Sequence, residues 1–316
     1  MAGTEKLNSK FIVQNYGALL LLLLLIAYNV VFTPNFVSVN VLWSMLLQSF
    51  TVIIIGLGMT LVIASGGIDI SVGSVMAVSA SVLAFFLNME AGIFIAVMFA
   101  LLAAGLCGAF NGFLIAKLEI QPIIATLILL TGGRGIAQVI NDGRVFSFFG
   151  HDIGRLNFIR FWDTIPIQVV VSVVFLIIFY IVLNHMSLGR YILAVGGNPK
   201  VSRLSGIPIF KTKFAVYVIV ALLAGVAAIF EVSRIASADP NHIGRLIELD
   251  VIASVAVGGT IITGGSANIV GTFIGAIAIQ LITITVNMQN LPFHSSLILT
   301  AFVIFLALWL QRGSEE

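Results

Sequence analysis

Charge is what this sequence has least of. Only 9% of its 316 residues are Asp, Glu, Lys or Arg, where soluble domains carry roughly 25%. Hydrophobic residues make up 60%, so a water-soluble globular chain is excluded. The net charge of +2 points to no nucleic-acid partner. Cysteine is nearly absent: Cys107 stands alone in an apolar run, so no intrachain disulfide can form and the thiol reads as packing. Histidines His151, His185, His242 and His294 are scattered without metal-ligand spacing, and no serine or cysteine has an evident paired base. Neither a catalytic cluster nor a metal or cofactor bound by this chain is expected.

Apolar runs fill the space instead. Stretches of about 20 residues, each able to cross a hydrocarbon core of about 30 Å, recur along the whole length and predict an all-α polytopic membrane protein with about ten transmembrane helices. The runs are Tyr16 to Phe32, Val41 to Ala64, Ser71 to Leu87, Ala91 to Ala116, Ile120 to Ile140, Ile165 to Leu183, Phe214 to Phe230, Leu249 to Ile262, Ile269 to Val286 and Leu297 to Leu310. The eighth is short and ends in glycines, which predicts a broken or partly re-entrant element. The first run follows Lys6 and Lys10 but is span-length and lacks a small-x-small cleavage site, so it reads as a retained helix. Residues 1–316 are therefore expected to form one transmembrane domain, with residues 185–213 as its main cytoplasmic loop.

Basic residues orient the bundle. With the N-terminus inside, Lys6, Lys10, Lys117, Arg190, Lys200, Arg203, Lys211, Lys213 and Arg312 are cytoplasmic, and Arg144, Arg155, Arg160, Arg234 and Arg245 are external. Nine against five places both termini in the cytosol. The external segment Asn141 to Thr164 mixes charges with Phe148, Phe149 and Trp162, which suits either a solvated connector or a docking rim for an extracytoplasmic partner.

Between Asn184 and Phe214 runs the one sizeable polar excursion, with Arg190, Lys200, Arg203, Lys211 and Lys213 and no acid. Asn198 and Pro199 read as N-cap and first helical residue, and Gly206 before Ile207-Pro208 as a C′ glycine and stop. A short helix, Pro199 to Ser205, is expected on the cytosolic face, carrying Lys200 and Arg203, as a handle for a partner.

Two glycine turns stand out. Gly259 to Ser266, GTIITGGS, fits a phosphate loop except that Gly265 stands where the lysine belongs, so the segment reads as a tight turn around Gly264 and Gly265. Any ATP must then be hydrolysed by another chain. Ser65 to Ser74, SGGIDISVGS, joins two spans; Gly66 and Gly67 permit close approach, Ser71 can cap the next helix, and Asp69 would be favoured by its dipole. A capped turn and a gate are both open readings. Arg134 lies about 21 Å into its span, near enough to the outer surface to snorkel, or to line a polar path with Gln138. Asn111 and Gln280 are further polar side chains that suit either a solute path or inter-helix bonds, whereas Gly105, Gly108, Gly112, Gly271 and Gly275 suit close helix packing.

These residues together resemble the ribose- and galactofuranose-type permeases of ATP-binding-cassette sugar importers. The likeness lies in GMTLVIASGGIDISVGSVMA (Gly58 to Ala77), KLEIQPIIATLILLTGGRGIAQ (Lys117 to Gln138), GRYILAVGGNPKVSRLSGI (Gly189 to Ile207) and ELDVIASVAVGGTIITGG (Glu248 to Gly265). It covers nearly the whole chain. The resemblance implies a ten-helix importer permease in a bacterial cytoplasmic membrane, translocating a monosaccharide and doing no covalent chemistry. Its implied partners are a second, like or related, permease subunit, cytoplasmic ATPases and an extracytoplasmic sugar-binding protein, besides membrane lipid. Asn198, Pro199, Lys200, Arg203, Ser205 and Gly206 fall where such permeases have their ATPase-coupling helix. Two departures are visible: Ser266-Ala267-Asn268 replaces an arginine or further glycines, and Arg203-Leu204 replaces small residues. The rival class is an ion-coupled secondary transporter of a small polar solute, which would need paired ionisable groups at the midplane.

Overall fold

The computed structural model describes residues 9–148, 152–292 and 294–312, with side chains described from 16 to 305. Lys6, Phe149 and His151, named above, lie outside the described residues, as do the side chains of Lys10 and Arg312. Apolar runs this long become helices because a backbone withdrawn from water must bond to itself. The helices are α1 (Ser9–Phe32), α2 (Val39–Ala64), α3 (Val72–Asn88), α4 (Ile93–Ala116), α5 (Pro122–Ile140), α6 (Ile167–His185), α7 (Ser187–Gly197), α8 (Pro199–Leu204), α9 (Ile209–Ile235), α10 (Ile247–Val257), α11 (Ile269–Met288) and α12 (His294–Arg312).

Among the described residues six of them, α2, α4, α5, α6, α9 and α11, are long and apolar enough to cross a membrane. The expected ten spans are not all met by that measure. The described side chains add apolar stretches at Tyr16–Phe32 within α1, at Val72–Asn88 and at His294–Phe305 within α12, and α10 has 11 residues, about 16 Å of rise. The span expected from Leu249 to Ile262 thus ends early, at glycines that turn the chain.

α2 is the centre. Every residue from Ser49 to Ala64 is buried, as suits a helix that is apolar all round, and α6, α9, α10 and α11 pack about it. The most extensive contact between two helices is α4 against α9. It runs through Gly105, Gly108 and Gly112: a Cβ at Gly108 would lie 2.6 Å from both the Cβ of Ala221 and the carbonyl oxygen of Tyr217. Only glycine allows that approach, which maximises dispersion contact between the helices.

The polar excursion after α6 is more ordered than its composition suggests. It opens with α7, an amphipathic helix that buries Ile192 and Val195 and sets Gly189 against the carbonyls of Val182 and Leu183. α9 then begins at Ile209, five residues before the expected Phe214.

On the opposite face, the described residues of the segment 141–166 include three short strands. β1 (Phe146–Ser147) pairs antiparallel with β4 (Ser237–Ala238), and β2 (Arg160–Phe161) with β3 (Ile165–Pro166). A 3-10 turn, Asp152–Phe158, rests on α9. Trp162 and Asp163 link β2 to β3 with φ of 50° and 56°, the left-handed pair of a tight hairpin. Phe148 is buried, so it cannot serve as a rim aromatic, whereas Trp162 is 79% exposed.

Candidate functional site

α8 is built from its caps. The Asn198 side-chain oxygen accepts from the N–H groups of Lys200 and Val201, both at 3.1 Å, and Pro199 occupies the first turn. A cap of this kind contributes about 1 kcal/mol. At the other end Gly206 has φ +76°, its N–H donates to Arg203 and that of Ile207 to Ser202; this is a Schellman closure. Ser205 is the C-cap residue rather than part of the helix. Leu204 is 90% exposed and Val201 56%, so α8 presents an apolar surface beside its lysine. Arg203 reaches back to Glu119 at 3.2 Å, both side chains exposed.

α7 ends where the two glycine turns meet. Gly265 donates its N–H to the carbonyl of Ala64 at 2.9 Å. A Cβ on Gly196 would strike that same carbonyl and approach Gly265 N at 2.6 Å, and one on Gly264 would lie 2.9 Å from Gly66 Cα. Gly66, Gly264 and Gly265 have φ of 80°, 95° and 79°, a region that L side chains avoid. Three chain segments, at the ends of α2, α7 and α10, therefore touch backbone to backbone. Sequence reasoning had found Gly66, Gly67, Gly264 and Gly265 but had not joined them to one another or to Gly196. Gly67 lies elsewhere, against the Tyr217 hydroxyl.

The run from Ser65 to Ser71 is unwound yet largely buried, and side chains satisfy its backbone. Asp69 accepts from both the N–H of Ser71 at 2.8 Å and its hydroxyl at 2.6 Å. Asn111 donates to the Ser71 hydroxyl at 2.8 Å, and Ile70 N–H reaches the Thr126 hydroxyl at 3.4 Å. Ser71 makes no side-chain cap to α3, contrary to expectation, because its hydroxyl is committed to Asp69. Asn111 is accordingly a brace between α4 and this break. In the second turn Asn268 has a comparable role: its side chain accepts from Gly271 N–H at 2.8 Å and caps α11, while its own N–H donates to Thr260 at 3.0 Å.

Arg134 does not stand free. Its guanidinium donates to the carbonyls of Pro240 at 3.0 Å and Ile243 at 2.6 Å, with a longer contact of 3.4 Å to Gly73. One turn on, Gln138 donates to the side chain of Asn241 at 2.8 Å. Both side chains thus hold the loop 239–246 that leads into α10. Within that loop Asp239 accepts from Asn241 N–H and pairs with His242 at 2.7 Å. Partial burial would raise the Asp239 pKa, but these bonds hold it below the ordinary carboxylate value. Gln280 stands apart on α11, whose main neighbours are α10, α2 and α1, so the structure does not gather Arg134, Gln138, Asn111 and Gln280 into one cluster.

The bundle thus has two unwound breaks that meet at the end of α7, just before the capped helix α8. A family model described as the branched-chain amino acid transport system / permease component matches residues 41–308, and the chain belongs to that family. It is 39% identical over 310 residues to the ribose import permease protein RbsC of Escherichia coli K12, covering 94% of each chain. It is 35% identical to the galactofuranose transporter permease protein YtfT of the same organism, over 82% of this chain and 76% of that one. To its L-arabinose transport system permease protein AraH it is 33% identical, over 96% and 94%. No solved structure matches.

Proposed function

We propose that this chain is the translocating subunit of an ATP-driven importer of a monosaccharide in the ribose, galactofuranose or arabinose class. Ten crossings are proposed, formed by every helix except α7 and α8, with both termini, α7 and α8 on the cytosolic face. The proposed assembly is two permease subunits on two ATPases, fed by an extracytoplasmic sugar-binding protein. α8 docks the ATPase through Val201, Leu204, Lys200 and Arg203.

The observation that carries this reading is the junction of Gly196 with Ala64 and Gly265. Two residues separate Gly196 from the first residue of α8, so displacement of α8 is delivered to the ends of α2 and α10 together. ATP binding in the partner would then favour one arrangement of the two turns over the other, which is what coupling requires. Arg134 and Gln138 act by fixing the loop before α10, and Asp69 and Asn111 by holding the break before α3. The likeness to sugar permeases supports the substrate class, and nothing in those relatives favours an ion-coupled carrier.

The test is uptake of labelled ribose, galactofuranose and arabinose by the assembled complex in proteoliposomes. Uptake should require ATP and the binding protein and should ignore an imposed ion gradient. Uptake driven by an ion gradient without ATP would overturn the reading.

A further inference from the structure

Beside α8 lies a cavity of about 540 Å³ that shares only Arg203 with the proposed docking surface. Its walls come from the α4–α5 turn, the ends of α8 and the first turn of α9, and include Glu119, Ile120, Gln121, Arg203, Phe210 and Lys213. The surrounding segments, residues 117–122 and 187–213, contain Lys117, Arg190, Lys200, Arg203, Lys211 and Lys213 against the single acid Glu119.

Lys213 is the unusual member. It projects from α9 into the cavity wall, half-buried, with no ion pair or hydrogen bond to any described residue. The one opposite charge acting on it is that of Glu119, which already pairs with Arg203 at 3.2 Å, so two cations share one carboxylate and the position suits a ligand that brings further negative charge. Arg203, already turned toward the cavity by Glu119, offers a planar donor set suited to a phosphoryl group. Next to the mouth, Phe210, Ile123 and Ile124 are exposed, an apolar flank for hydrocarbon.

We propose that this cavity binds a phosphate group, the lysine and arginine taking the phosphoryl oxygens, and that the apolar flank makes an anionic phospholipid of the cytosolic leaflet its source. Basic clusters at that leaflet attract such headgroups. The proposal rests on the cytosolic placement of α8. Its consequence is that the lipid braces α8 against the α4–α5 turn alongside the Arg203–Glu119 pair.

The experiment uses the complete permease–ATPase complex in nanodiscs of phosphatidylethanolamine with and without phosphatidylglycerol, and native mass spectrometry of the lipids retained. Lys213→Gln should lower retention of phosphatidylglycerol about five- to tenfold, Lys213→Arg should restore it, and Lys211→Gln, an exposed neighbour, should leave it unchanged. Inorganic phosphate that protects Lys213 from amine labelling, with no lipid retained, would keep the site and assign it a soluble source. Equal lipid retention and equal labelling in wild type and Lys213→Gln would overturn the proposal. So would a Lys213→Gln complex that keeps its lipid but sheds its ATPase, which would give the cavity to an acidic side chain of that partner. Co-purification of the ATPase is scored separately, so a failure of α8 docking is distinguishable from a failure of the lipid site.

Discussion

Gly196 sits so close to Ala64 that any side chain on it would enter the carbonyl of the last residue of α2. Its neighbour Gly197 is different, since a Cβ there would meet only Gly265 Cα at an ordinary 3.9 Å. Gly196→Ala should therefore cost about 1–3 kcal/mol by overpacking and strongly reduce uptake, while Gly197→Ala should be near normal. Thermal unfolding in detergent and transport in proteoliposomes check both. Equal behaviour of the two variants would contradict the junction.

Arg134→Lys removes a forked donor and leaves one ammonium to serve Pro240 and Ile243. The buried carbonyl that loses its bond costs about 1–3 kcal/mol, and the loop before α10 should loosen. Hydrogen–deuterium exchange across residues 239–246 should rise and uptake should fall several-fold. Gln138→Leu removes one exposed hydrogen bond, about 0.5–1.5 kcal/mol, and should have a milder effect in the same direction. Unchanged exchange in Arg134→Lys would show that the loop is held by something else.

Asp69 works here as an acceptor. Asp69→Asn keeps an oxygen for the Ser71 N–H and hydroxyl and should transport at close to the wild-type rate, whereas Asp69→Leu leaves both donors buried and unpaired, at about 1–3 kcal/mol each. The measurement is folded yield and uptake for each variant. A well-folded Asp69→Asn permease that cannot transport would mean that the charge, not the acceptor, is required.

Gly206→Val meets open space around the new side chain, so its whole cost is the left-handed backbone, on the order of 1–3 kcal/mol. The Schellman closure of α8 should be lost, with ATPase co-purification reduced. Leu204→Asp should reduce co-purification without lowering the melting temperature of the isolated permease, because Leu204 packs against almost nothing in it. Normal assembly by both variants would remove α8 from the docking surface.

Local signals were legible in the sequence and long-range ones were not. Asn198, Pro199 and Gly206 specify α8 through their own backbone chemistry, so its limits could be read to within one residue. α7 is not legible because its buried stripe of Ile192 and Val195 is only one turn long. Arg134 shows the other limit. Its depth in α5 follows from counting residues, but its partners are carbonyls more than a hundred positions away, and a carbonyl leaves no mark in residue type. The glycine turns were found by composition, yet their meeting at Gly196 depends on how three separate helices end. The glycines after Val257 mark the short α10, and apolar runs alone do not reveal where a helix unwinds.

The glycine seam between α4 and α9 divides the molecule mechanically. With Gly108 against Ala221 and Gly112 against Phe214, these two helices interlock closely, and sliding one past the other would drive atoms into backbone. They behave as a single stiff plank with α8 attached to its lower edge. Compliance must then reside where the chain has given up helix, at residues 65–71 and 258–268, so a push on α8 swings the plank as one piece and is absorbed at those two joints. Substitutions that stiffen the joints should slow the cycle, and substitutions that loosen the seam should let the pump idle, burning ATP with little sugar moved.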